Sequence, residues 1–236
     1  MIYPMYYFDP TYMLVLIGVV LSLFASARVN STFNKYSRMH NSRGITGAQA
    51  AQQVLNHAGI YDVRIEHVAG NLTDHYDPRS KVLRLSDTVY GSTSVAAVGV
   101  AAHECGHAIQ HAREYAPLKF RGALVPVANF GAKIAWPLIL FGLLITSKSS
   151  ALLIEIGILA FSLSVLFQIV TLPVEFNASN RAIRCIADTG MLFGNEIVSA
   201  KKVLNAAALT YVASAASSIL QLLRLVILTG GRRRDD

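Results

Sequence analysis

Charge is scarce in this chain. Of its 236 residues only 15% are Asp, Glu, Lys or Arg, where a soluble domain carries about a quarter. Cysteine is scarcer still. Cys105 and Cys185 are the two, with no CxxC pair, which excludes a disulfide scaffold and suits a reducing compartment. No repeat of fixed period runs through the sequence, and the inverted repeats that build many transporters are not visible. Acidic residues are outnumbered 14 to 21, for a net charge of +7. That surplus forms no basic stripe interleaved with stacking aromatics, so nucleic acid is set aside as a partner.

Apolar residues are abundant instead, at 53% of the chain, and they are bunched into long runs of the kind that cross bilayers. The first is 11–27, where no Lys or Arg precedes it and Asp9 stands just before; it reads as a retained anchor with its N-terminus outside. Runs at 123–145 and 151–172, separated by Thr146–Ser150, read as a transmembrane hairpin. Pro173 is expected to end or kink the third span, with a new helix from Glu175 to about Asp188. A last apolar stretch, 203–229, is rich in Ala, Ser and Thr and is long enough to cross as well. The basic residues crowd beside these runs: Arg28, Lys35, Arg38 and Arg43, then Lys119 and Arg121, then Arg181, Arg184, Lys201 and Lys202. By the positive-inside rule that side is cytoplasmic, and the expectation is three crossings with a fourth possible.

Residues 30–121 are more polar and should hold a small globular domain. Thr46 can cap a helix through about His57, closed by Gly59. Val63–Val68 alternates like a strand, Gly70–Ser80 reads as loop with a turn at Asp77-Pro78, and Lys81–Leu85 reads as a second strand. A long helix follows from about Ser94 to His111.

That helix carries His103-Glu104-Cys105-Gly106-His107. Residues four apart lie side by side on one helical face, so His103 and His107 can share one metal ion. A catalytic zinc takes three protein ligands and keeps one position open. Glu104, at the edge of the same face, can then reach a water at that position and act as its base. Cys105 falls in a variable slot and reads as a small packed residue. The third ligand must come from elsewhere. His111 and Glu114 lie too far along the helix, since eight residues rise about 12 Å. Glu175 is the better candidate, because two spans separate it from His107 and both return to the same membrane face.

Three separated segments carry a family resemblance: Leu72–Arg79 (LTDHYDPR), Val95–Ala112 (VAAVGVAAHECGHAIQHA) and Pro173–Arg181 (PVEFNASNR). Together they resemble the YugP-type bacterial membrane zinc peptidases and, more distantly, the HtpX-type peptidases of the gluzincin group. The resemblance implies one Zn2+ held by His103, His107 and Glu175, with Glu104 as catalytic base, and a polypeptide substrate. It departs from the HtpX pattern at Ser179, where an Asp is usual. His75, Tyr76, Asn180 and Arg181 are candidates for contacts to substrate or to the ligands, with Arg184 and Asp188 behind them. The strand at Lys81–Leu85 is a candidate edge for an extended substrate.

The resulting expectation is an α+β membrane protein, mainly helical, with a zincin-like catalytic domain, a small β-sheet and about three transmembrane helices. Its parts would be an anchor (1–29), a catalytic domain (30–121), a hairpin (122–172) and a third-ligand helix with the last apolar helix (173–236). It would sit in a bacterial plasma membrane, multi-pass, with its active site facing the cytoplasm. The contending reading is a catalytically silent membrane scaffold that uses zinc structurally; the retained Glu104, which is not a ligand, speaks against it. An intramembrane protease of the site-2 type would need an Asp in an LDG-like motif, and none is present.

Overall fold

The computed structural model describes residues 9–145 and 150–232. The start of the chain before Asp9, the 146–149 part of the expected hairpin loop and the residues from 233 onward lie outside them. Among the described residues six helices and three strands follow one another: α1 (Tyr12–Tyr36), α2 (Gly47–His57), β1 (Arg64–Val68), β2 (His75–Asp77), β3 (Val82–Ser86), α3 (Val95–Ala112), α4 (Ala116–Leu144), α5 (Ser150–Asp188) and α6 (Asn195–Arg232). Four of them, α1, α4, α5 and α6, are long and apolar enough to cross a bilayer. By contacts the chain forms two compact units, one of residues 25–122 and 170–211, the other of 9–24, 123–169 and 212–232 among the described residues.

In the first unit, α2 starts with a complete capping box: the Thr46 hydroxyl accepts from the Gln49 N–H, and the Gln49 side chain accepts from the Thr46 N–H. Ser94 caps α3 in the same way, its hydroxyl accepting from the Ala97 N–H. The small residues that open α3, Val95 to Ala102, pack with Ala50, Ala51, Val54 and Leu55 of α2 and with Leu83 and Leu85 of β3. The sheet order is β1-β3-β2, with β1 parallel and β2 antiparallel to β3.

That order corrects two expectations. The segment read as loop, Gly70–Ser80, contains β2. Its ends are held by side chains: Asp74 accepts from the Ser86 N–H at 2.7 Å, and Asp77 accepts from the Arg79 N–H at 3.0 Å. The strand expected as a substrate edge, β3, is the central one, flanked on both sides, and β2 is an edge.

Pro173 also behaves differently from expectation. It neither ends a helix nor starts one, because α5 runs unbroken through it. An interior proline costs about 3 kcal/mol; burial of Val174, Ala178, Ala182 and Ile186, all at 0% exposure, offsets it. Glu175 therefore sits in mid-helix, and the helix-dipole reason for placing a carboxylate there does not apply.

In the second unit, α1 and α6 pair antiparallel. The Ser217 hydroxyl donates to the Gly18 carbonyl at 2.9 Å and lies 3.1 Å from the Ser22 hydroxyl. One end of this pair is closed by Arg224, 3.5 Å from Asp9 and stacked over the Tyr12 ring. Such hydroxyl contacts between small residues are a common way to join helices in lipid. The α4–α5 hairpin packs closely too: a Cβ at Gly131 would stand 2.5 Å from the Ala160 carbonyl oxygen.

Candidate metal centre

The site lies between α3 and α5, within the first unit. Close approach of the two helices depends on Gly106, where a Cβ would fall 2.5 Å from the Ala178 carbonyl oxygen. With the helices this near, His103, His107 and Glu175 converge, each offering a ligand atom within 4.8 Å of the others. Glu175 Oε2 stands 3.3 Å from His103 Nε2 and 3.4 Å from His107 Nε2. A tetrahedral ion with arms of about 2.0–2.2 Å spaces its ligands about 3.3–3.6 Å apart, and both glutamate–imidazole distances match an edge of such a tetrahedron.

Two further observations fit a metal. Glu175 is only 2% exposed, and its buried Oε2 has no hydrogen-bond partner. A buried carboxylate oxygen left without one is costly, and a cation in front of it removes the cost. The His107 imidazole is also fixed in the tautomer a metal needs, and the His103 ring has a hydroxyl partner for its Nδ1. His103 Nδ1 lies 3.1 Å from the Ser179 hydroxyl, and His107 Nδ1 lies 3.0 Å from Gln110 Oε1. Gln110 cannot flip, because its amide N–H groups donate to the Val174 carbonyl at 2.7 Å and to Asn177 Oδ1 at 3.0 Å. Its Oε1 must accept from His107 Nδ1–H, which leaves the Nε2 lone pair for the ion.

Glu104 lies beside this cluster, partly exposed. The Tyr76 backbone N–H donates to its Oε2 at 3.1 Å. Loss of solvation raises its carboxyl above the ordinary glutamate range, while the fields of His103 and His107 pull the other way. Cys105 is fully buried within the α2–α3 core, and burial raises its thiol well above the ordinary value. It is a packed residue.

The remaining candidates fall as follows. Tyr76 reaches Glu104 through its backbone, and its hydroxyl meets His111 Nδ1 at 2.9 Å. His75 is exposed, with Nδ1 2.8 Å from the Thr73 carbonyl. Arg181 Nε donates to Asn177 Oδ1 at 2.7 Å, joining the Gln110 network. Asn180 and Arg184 are exposed, and Asp188 pairs with His57 at 3.9 Å. His111 and Glu114 are exposed and lie outside the three-residue cluster; Glu114 pairs with Lys119 at 3.2 Å. Sequence reasoning missed Gln110 and Asn177, and read Arg121 only as a topological charge. Its guanidinium lies 3.6 Å from Glu175 Oε1. Nothing in its spacing could have signalled this, whereas Gln110, three residues after His107, was within reach of a helical argument.

Four membrane-length helices together with a His-His-Glu cluster built on an HExxH helix and α5 define a class, the membrane-bound zinc metallopeptidases. The chain belongs to the family described as "Putative neutral zinc metallopeptidase", whose model matches residues 11–230. It is 47% identical over 215 residues, 91% of this chain and 94% of the relative, to "Putative membrane protease YugP" of Bacillus subtilis (strain 168). No solved structure matches it.

Proposed function

We propose that this chain is a membrane-bound endopeptidase of the gluzincin type. His103, His107 and Glu175 hold one zinc, and Glu104 is the general base. The observation that carries the reading is the buried Glu175 Oε2, without a hydrogen-bond partner and set at tetrahedral spacing from two imidazole nitrogens. A zinc ion there supplies Lewis acidity, polarising a peptide carbonyl and making water acidic enough to attack at neutral pH. Glu104 takes the proton of the attacking water as the new C–O bond forms. It then delivers that proton to the amide nitrogen as the C–N bond breaks. The Tyr76 N–H steers the carboxylate for both transfers. An extended substrate is expected to lie along β2, the sheet edge beside α3, so the chain's main-chain groups bind the peptide without regard to side chain.

The topology is four crossings with the catalytic unit in the cytoplasm. Two antiparallel helices joined along Gly18–Ser217 and Asp9–Arg224 occupy the same slab of the bilayer, so if α1 crosses, α6 crosses beside it. The Asp9 carboxylate also pairs with Arg224, a charge inside the last apolar stretch.

Glu104→Gln is the test. The variant keeps zinc and fold, and loses cleavage of an unstructured protein such as casein by about 10²–10⁴-fold. A silent scaffold predicts zinc in both proteins and cleavage by neither.

A further inference from the structure

We propose that a cleft between the cytoplasmic end of α1 and the start of α6 binds the phosphate of an anionic phospholipid. The cleft has a volume of about 560 Å³ and lies wholly within the catalytic unit. Its walls are two matching helical stripes. Arg28, Ser31 and Lys35 come from α1, and Lys202, Asn205 and Leu209 from α6. Both sets follow an i, i+3, i+7 spacing, so each presents one continuous face.

Three features select the ligand. The first is charge: Arg28, Lys35 and Lys202 face one cavity, and among the described residues none of the three forms an ion pair with a carboxylate. No Asp or Glu occurs from Ser26 to His40 or from Ile197 to Tyr211. The second is donor type. Asn205 adds an amide among the cations, and Ser31 a hydroxyl that donates to the Arg28 carbonyl at 3.2 Å and can turn instead to a phosphate oxygen. The third is level. The apolar run of α1 ends at Ala27, immediately before Arg28, and α6 turns apolar from Ala206 onward. The polar-to-apolar boundary of both helices thus passes through the cleft. A lipid phosphate can lie among the cations while its acyl chains leave past Leu209.

Basic residues that only set topology are solvated and interchangeable, and need no shared cavity. Here a defined pair should matter more than total charge. Electrostatic attraction of about 1 kcal/mol per juxtamembrane cation is about fivefold in affinity, so removing two cations predicts a loss of tenfold or more.

The experiment uses the full chain in detergent and reads lipid retention by native mass spectrometry and the unfolding temperature. Probes are phosphatidylglycerol, phosphatidylcholine and inorganic phosphate. Phosphatidylglycerol is expected to be retained and to raise the unfolding temperature, and phosphatidylcholine and free phosphate are not. Lys35→Gln with Lys202→Gln should lower retention at least tenfold, and Lys35→Arg with Lys202→Arg should preserve it. Arg38→Gln with Lys201→Gln removes the same charge outside the cleft and should leave retention unchanged. Equal loss in both neutral pairs overturns the site in favour of diffuse attraction. A shift with inorganic phosphate as large as with phosphatidylglycerol overturns the lipid as ligand. Neither readout depends on zinc or on peptidase activity.

Discussion

Replacing Gly106 by Ala adds one methyl group at the point where α3 meets α5. The new Cβ would stand 2.5 Å from the Ala178 carbonyl oxygen and 3.0 Å from its carbonyl carbon. Both are backbone atoms, so no rotamer change relieves the clash. Ordinary contact begins near 3.5 Å, and the helices must separate by about 1 Å. Overpacking of this kind costs about 1–3 kcal/mol of stability. The larger effect falls on the metal. His103 and His107 move with α3 while Glu175 moves with α5, and the contacts of 3.3 and 3.4 Å between them widen. Zinc sites hold their bond lengths to about 0.2 Å, so a shift of about 1 Å should weaken zinc binding at least tenfold. Competition against a fluorescent chelator measures the affinity, and helical circular dichroism checks the fold. A Gly106→Ala protein that is folded and binds zinc as tightly as wild type would refute the idea that this glycine sets the α3–α5 distance.

The Gln110→Leu substitution strips the acceptor from His107 Nδ1 and a donor from the Val174 carbonyl, so zinc affinity should fall about 10–100-fold, read by the same chelator competition. Stability of the metal-free protein should fall by about 1–3 kcal/mol from those orphaned groups, read by denaturant melting, and an unchanged midpoint would show the network to be ornamental. A cysteine placed at Thr229 in a cysteine-free background should react with an impermeant maleimide added outside intact cells. Reaction only after the membrane is opened would return α6 to the cytoplasmic side.

Much of the site is legible in the sequence because its signals are local. His103, Glu104 and His107 follow from helical spacing, and the Ser94 and Thr46 caps mark where their helices begin. Glu175 was reached through topology, although one part of that reasoning, a helix start after Pro173, does not hold in the fold. Proline rules describe an isolated helix, and here the buried face of α5 outweighs the lost hydrogen bond. The short strand β2 was hidden for a similar reason. Its three residues, His75, Tyr76 and Asp77, show no apolar alternation, and they are extended because β3 pairs with them and two aspartates fasten the ends. Arg121 was illegible as a site residue because the Glu175 carboxylate it meets is brought near only by the fold, whereas Gln110 reaches His107 along its own helix.

The central claim concerns three ligand atoms, and anomalous diffraction at the zinc edge from the zinc-loaded protein tests it most directly. The account predicts one peak at about 2.0–2.2 Å from His103 Nε2, His107 Nε2 and a Glu175 oxygen, with Glu104 near the ion but not bound to it. A peak that binds His111 or Glu114 in place of Glu175, or one that takes Glu104 as a ligand, would contradict it.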